Sequence, residues 1–198
     1  MNFLAHLLLS GDDPELALGN FMGDFVKGRQ HELLPAGVAR GVLLHRFIDA
    51  QTDAHPLCRQ SAERLRPIYG RHAGVVVDIF YDHLLATHWE RFSATSLRAF
   101  TLRAHRLLLD NHGLLPERLR DRVPHLVASD RLHSYARVEG IAQTLDLMAR
   151  HTSLPDQSGP GIRLLEEARG DFLGEFDGVF RTVAAAVSER ENLFFHFL

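Results

Sequence analysis

Apolar residues recur at helical spacing along almost the whole chain, and the alternating, β-branched pattern of strands is hard to find, so the sequence reads as all-α. Asn2 can cap a short first helix ending near Ser10-Gly11. Asp13-Pro14, a cap followed by proline at the first helical position, opens a second helix running to about Lys27-Gly28. Pro35 opens a third, which carries Val42, Leu43, Phe47 and Ile48. His55-Pro56 then marks a break or restart before a fourth that ends near Tyr69-Gly70. The run from Arg71 to about Phe92 is rich enough in valine and aromatics to be a strand, but its length and the following Ala86-Thr87-His88-Trp89 favour a buried helix. Ser93 or Ser96 caps the next helix, whose stripe of Leu97, Phe100, Ala104, Leu107 and Leu108 stops at Asn111-His112-Gly113. Two further helices are expected around Pro116 to Ala128 and Arg131 to Arg150. The segment His151 to Gly161 is the most loop-like, and Leu165, Ala168, Phe172, Phe176, Val179, Val183 and Val187 mark one long final helix.

Composition narrows the class. A chain of 198 residues, 45% hydrophobic, is expected to form one helical domain over residues 1–198. Its formal net charge of -3 gives no case for a nucleic-acid partner. The apolar run Phe3 to Leu9 is interrupted by His6 and lacks a basic lead and a small-residue cleavage site, and no stretch is long enough to span a bilayer. With 13 histidines against the single Cys58, a cytoplasmic protein using His and carboxylate ligands fits better than disulfide or Cys-zinc chemistry.

The helical reading gives those residues positions. His45, Asp49 and Asp53 follow one another at i, i+4 and i+8 on one face of the third helix, and Asp78 and Asp82 repeat the spacing on another, with His83 adjacent. Asp24 sits in the apolar stretch Gly19 to Gly28, where glycine lets backbone or ligand approach closely; taken alone, it reads as a carboxylate capping a neighbouring helix. Packed into one core, these carboxylates repel unless a cation sits among them, which points to a metal site mixing imidazole and carboxylate, suited to manganese, iron or zinc. The bland alternative pairs the acids with Arg40, Arg46 and Arg71 and lets the histidines satisfy one another. His6 can join the site or be a hydrogen-bonded core histidine, and His55, before a proline, a ligand or a cap.

A Walker-type phosphate loop and a Gly-x-Ser-x-Gly nucleophile motif are both absent, which leaves metal-assisted hydrolysis by an activated water, with Lys27 or Arg46 near the developing negative charge. Between Arg91 and His125, Arg91, Arg98, Arg103, Arg106, Arg118, Arg120 and Arg122 outnumber Asp110, Glu117 and Asp121, giving either a solvated face or a docking surface for an acidic partner.

Four ordered motifs make the chain resemble the acyl carrier protein phosphodiesterase family. They are Met1 to Leu7; Gly19 to Gly28; Gly41 to Asp49 with Thr52-Asp53 and His55-Pro56; and Asp78 to His83 leading to Trp89. The resemblance implies an HD-like helical fold with rearranged topology, since the adjacent pair reads Asp82-His83 and Asp24 comes first. It implies Mn2+ as the favoured metal. The implied activity is hydrolysis of the phosphodiester joining 4′-phosphopantetheine to the serine of a holo-acyl carrier protein, within fatty acid and lipid metabolism. The expected ligands are Asp24, His45, Asp78, Asp82 and His83, then Asp49, with Asp53, His55 and His6 behind. Asp24, His45, Asp82, Arg46 and Lys27 are the expected catalytic group. The alternatives are a metal phosphohydrolase of a nucleotide or other small phosphoester, and a non-catalytic helical binding module.

Overall fold

In the computed structural model, which describes residues 1–197, no strand occurs among the described residues and the chain is a succession of helices, as the periodicity predicts. They are α1 (Phe3–Leu8), α2 (Pro14–Phe21), α3 (Ala36–Ala54), α4 (Pro56–Tyr69), α5 (Ala73–Thr87), α6 (Leu97–Asp110), α7 (Glu117–Arg120), α8 (Val123–Ala128), α9 (Arg131–Ser134), α10 (Val138–His151), α11 (Ser158–Glu167) and α12 (Arg169–Glu191).

The caps act largely where the sequence puts them. Asp13 accepts from the main-chain N–H groups of Glu15 and Leu16 ahead of Pro14, and Ser96 accepts from Ala99 to start α6. His55 ends α3 and starts α4, its Nδ1 accepting from Leu57 N–H at 3.2 Å.

Several boundaries differ from the sequence reading, each for a local reason. α2 ends at Phe21, and Gly23–Phe25 forms a single 3-10 turn before Gly28 takes a positive φ of 53°. The helix expected over Pro116 to Ala128 splits into α7 and α8, since Pro124 has no N–H with which to continue it and sits in the first turn of α8. The one expected over Arg131 to Arg150 becomes α9 and α10, separated by extended backbone at Arg137. The segment read as a loop contains the start of α11, with Pro160 in the first turn where no N–H is needed, and the final helix is broken at Ala168.

The core is built on α5 and α12. Phe80 meets Phe172 edge-on at 5.6 Å and Tyr81 meets Phe176 at 5.5 Å, with α4 packed against both helices. A buried polar strut ties the three together: Arg64 grips both oxygens of Glu175 at 2.6 and 2.7 Å, and Ser61 Oγ donates to Glu175 while sharing a hydrogen bond with Tyr81 Oη. On the other side, α1 lies between α2 and α5, and α2 packs on α3 along its length. That last contact is backbone to backbone. A Cβ on Gly19 would stand 1.9 Å from Val38 O, and one on Gly41 would stand 2.3 Å from Leu16 O. Among the described residues no helix is long and apolar enough to cross a membrane.

Candidate metal centre

α1, the 3-10 turn after α2, and α3 deliver four side chains to one place. The i, i+4 relation on α3 brings His45 Nε2 within 3.1 Å of Asp49 Oδ2. From the last turn of α1, His6 Nε2 reaches the other oxygen of the same carboxylate, also at 3.1 Å. Asp24, on the 3-10 turn and exposed, places Oδ1 3.5 Å from His45 Nε2. The two imidazoles stack with centroids 4.1 Å apart. A Cβ on Gly23 would lie 2.2 Å from His45 Cγ, so the glycine before Asp24 is what lets this turn close over the ring.

The protons define the chemistry. His6 Nδ1 donates to Asn20 Oδ1 at 2.7 Å, and His45 Nδ1 donates to the Asn20 main-chain oxygen at 2.8 Å. Each ring therefore turns Nε2 toward the carboxylates. Burial pulls the His6 pKa down and keeps that ring neutral. His45 Nε2 is buried and, although at ion-pair distance from Asp24 and Asp49, has no aligned hydrogen bond. Burial pulls its pKa down as well, but Asp24 and Asp49 outweigh this and raise it to about 9. His45 in turn lowers the Asp24 pKa, and Asp49, pushed up by burial, is held well below the usual carboxylate range by His45 and His6.

Once His45 gives up its Nε2 proton, what converges is almost entirely lone pairs: two Nε2 atoms, the oxygens of Asp49 and Asp24, and the Met1 carbonyl oxygen 3.0 Å from His6 Nε2. In that state the cluster could hold a cation. The ligand atoms of His6, His45 and Asp49 all lie within 4.8 Å of one another, and imidazole with carboxylate is a donor set suited to a divalent transition metal.

The second carboxylate row is not brought to this cluster as a unit. Asp78 sits at its edge, 2.8 Å from the Met1 amino group, which is also 3.7 Å from Asp49. Asp82 accepts from the main-chain N–H groups of Leu4 and Ala5 at 2.7 and 3.0 Å, so it caps α1, a task the Asn2 side chain leaves undone because it donates to Tyr135 Oη. Fully buried there, Asp82 has its pKa pushed up to about 7. His83, one residue on and rotated about 100° around the helix, donates from Nδ1 to Tyr135 O at 2.7 Å.

The two expected phosphate partners also have defined places. Arg46 donates to the carbonyls of Val26 and Gly28 at 2.9 and 2.8 Å and so holds the segment after Asp24, and Lys27 on that segment is exposed. Asp53, also exposed, has its pKa raised by partial burial and by Asp78, and His55 is a cap. His6 takes the place that spacing alone offered to Asp78. The signal available for it was a polar residue in the middle of an apolar first helix, which needs a partner; Asn20 carried the same signal.

Two arginines of the basic segment are taken up internally, Arg91 by Asp177 and Arg98 by Asp130, and Arg120 donates to Leu115 O. Among the described residues Arg103, Arg106, Arg118 and Arg122 have no carboxylate partner. Arg122 lies over the Phe25 ring at 5.8 Å, beside the turn that carries Asp24.

The chain matches the family described as acyl carrier protein phosphodiesterase over residues 1–183. Similar proteins of that name include one from Photorhabdus laumondii subsp. laumondii, 36% identical over 174 residues covering 87% of each chain. Those from Yersinia pestis and Escherichia coli O6:H1 are 32% and 33% identical over 150 residues, 75% of this chain and 78% of theirs. No solved structure matches.

Proposed function

The chain belongs to the acyl carrier protein phosphodiesterase family and is an enzyme of that type, and from this premise we propose that it hydrolyses holo-acyl carrier protein to apo carrier and 4′-phosphopantetheine with a divalent metal, Mn2+, held by His6, His45 and Asp49. The observation that carries the metal is the convergence of acceptor atoms at that point, with His45 Nε2 buried and unsatisfied. When bound, the ion supplies positive charge that stabilises the phosphate in the transition state and makes water a better nucleophile.

The chain's own residues do the rest. Asp24, kept ionised by His45 and open to solvent beside these residues, would hold and orient the attacking water. Water attacks phosphorus in line, the phosphorus–oxygen bond to serine breaks, and the water's proton ends on the departing seryl oxygen. Lys27 meets the phosphate, and Arg46 serves by fixing the Val26 to Gly28 segment that presents Lys27. Asp82 acts at one remove, by anchoring the helix that carries His6. The exposed Arg103, Arg106, Arg118 and Arg122 form the face that receives the acidic carrier, with Arg122 nearest the Asp24 turn.

Purified protein with Mn2+ is to be given holo carrier and, separately, a small generic phosphodiester. Release of 4′-phosphopantetheine from the carrier with little turnover of the small ester supports the reading. Equal turnover of both would favour a general phosphohydrolase, and no turnover of either by folded, metal-loaded protein would defeat it.

A further inference from the structure

Building on the metal reading of His6, His45 and Asp49, we infer that Asn20 is the positioning residue that presents both imidazoles to the ion, one through its side chain and the other through its main chain. Its Oδ1 accepts from His6 Nδ1 at 2.7 Å, and its carbonyl oxygen accepts from His45 Nδ1 at 2.8 Å. A histidine that donates through Nδ1 ligates through Nε2, so one residue sets the usable nitrogen on two rings from different helices.

The orientation of the Asn20 amide is fixed by its other end. Nδ2 donates to His6 O at 2.8 Å and to Ser10 Oγ at 2.9 Å, and Ser10 Oγ spends its own hydrogen on His6 O at 2.9 Å. Flipping the amide would set its oxygen against the His6 carbonyl oxygen and its NH2 against His6 Nδ1, losing all three bonds at a site with no exposed surface. Oδ1 therefore faces His6.

The main-chain half depends on where α2 stops. Asn20 is in the last turn of α2, where carbonyls run out of regular helical partners, so its oxygen can accept from His45 Nδ1. The glycine contacts between α2 and α3 bring that oxygen within reach: with any larger residue at Gly19 or Gly41 the helices must part.

The test measures Mn2+ affinity by electron paramagnetic resonance in the wild type, Asn20→Ala and Ser10→Ala. It adds long-range 1H–15N imidazole spectra of the Zn2+-loaded wild type. Asn20→Ala should weaken Mn2+ binding by about 10- to 100-fold. Ser10→Ala, which removes one of the two contacts that hold the amide but leaves the bond from His6 Nδ1 to Asn20 Oδ1 in place, should weaken binding less than Asn20→Ala does. The spectra should show His6 and His45 ligated through Nε2 with protonated Nδ1. Wild-type affinity in folded Asn20→Ala, or ligation of either ring through Nδ1, overturns the inference while leaving the metal site standing. The spectra decide even if Asn20→Ala does not fold. A wild type that binds neither ion overturns the metal reading itself.

Discussion

His6 Nε2 and His45 Nε2 approach opposite oxygens of one carboxylate, Asp49, each at 3.1 Å, so a single acidic residue is clasped by imidazoles from two separate helices. Asp49 is in this sense the hub of the cluster. Replacing it by Ala leaves the stacked rings without their shared counter-charge and removes one ligand. Turnover should fall on the order of 10²-fold or more, and His6→Ala should do the same. Steady-state kinetics with the circular dichroism unchanged is the check, and near-wild-type rates in either variant would remove that residue from the site.

The metal-free protein should show a pH dependence set by His45. Its folded pKa, about 9, lies above the unfolded value of 6.5, so its contribution to stability is complete below about pH 6.5 and is lost as pH rises through about 9. Urea midpoints of the chelator-treated protein should therefore fall between pH 6.5 and 9.5. Metal binding must displace the same proton, so Mn2+ affinity should rise over that interval. Midpoints unchanged across the interval would mean that His45 is not held by Asp24 and Asp49.

Asp82→Ala should behave differently from Asp49→Ala. It leaves the Leu4 and Ala5 N–H groups buried without an acceptor, at a cost of about 1–3 kcal/mol. Some loss of metal affinity follows, through displacement of His6. Denaturant unfolding gives the first quantity, and an Asp82→Ala protein as stable as the wild type would contradict its role as the α1 anchor.

Gly23→Ala should inactivate without touching a ligand chemically. The added methyl would overlap the His45 ring, with Cβ 2.2 Å from Cγ, forcing either the ring or the Asp24 turn to move. Mn2+ titration of the variant should show weakened binding, and an unaltered titration would mean that the turn does not close on His45.

Charge reversal at Arg103, Arg106 and Arg122 should slow carrier association by about 10-fold or more at low salt, with the difference shrinking as salt is added. Hydrolysis rates at saturating carrier should hold. Stopped-flow binding distinguishes the two effects, and salt-independent association would argue against this face.

The helical class, most caps and the His45/Asp49 pair follow from spacing, because i, i+4 is a property of one helix. Asp24 is visible because it sits among glycines. His6, which completes the cluster from α1, is a candidate in the sequence but ranks behind the others, since nothing local says that it meets Asp49 rather than a core carbonyl. Asp78 and Asp82 share a face as predicted, yet α1 covers that face and its N-terminal N–H groups take Asp82 before a metal could. The role of Asn20 is hidden for the same reason: half of it resides in a main-chain carbonyl, which carries no sequence identity.

The most direct measurement is mass spectrometry of holo carrier incubated with the protein and Mn2+, with the same protein after chelation, and with His45→Ala. The wild type with Mn2+ should convert the carrier to its apo form with 4′-phosphopantetheine in solution, and the other two samples should leave it intact. Conversion that proceeds equally after chelation or in His45→Ala would contradict a metal-dependent site built on His6, His45 and Asp49.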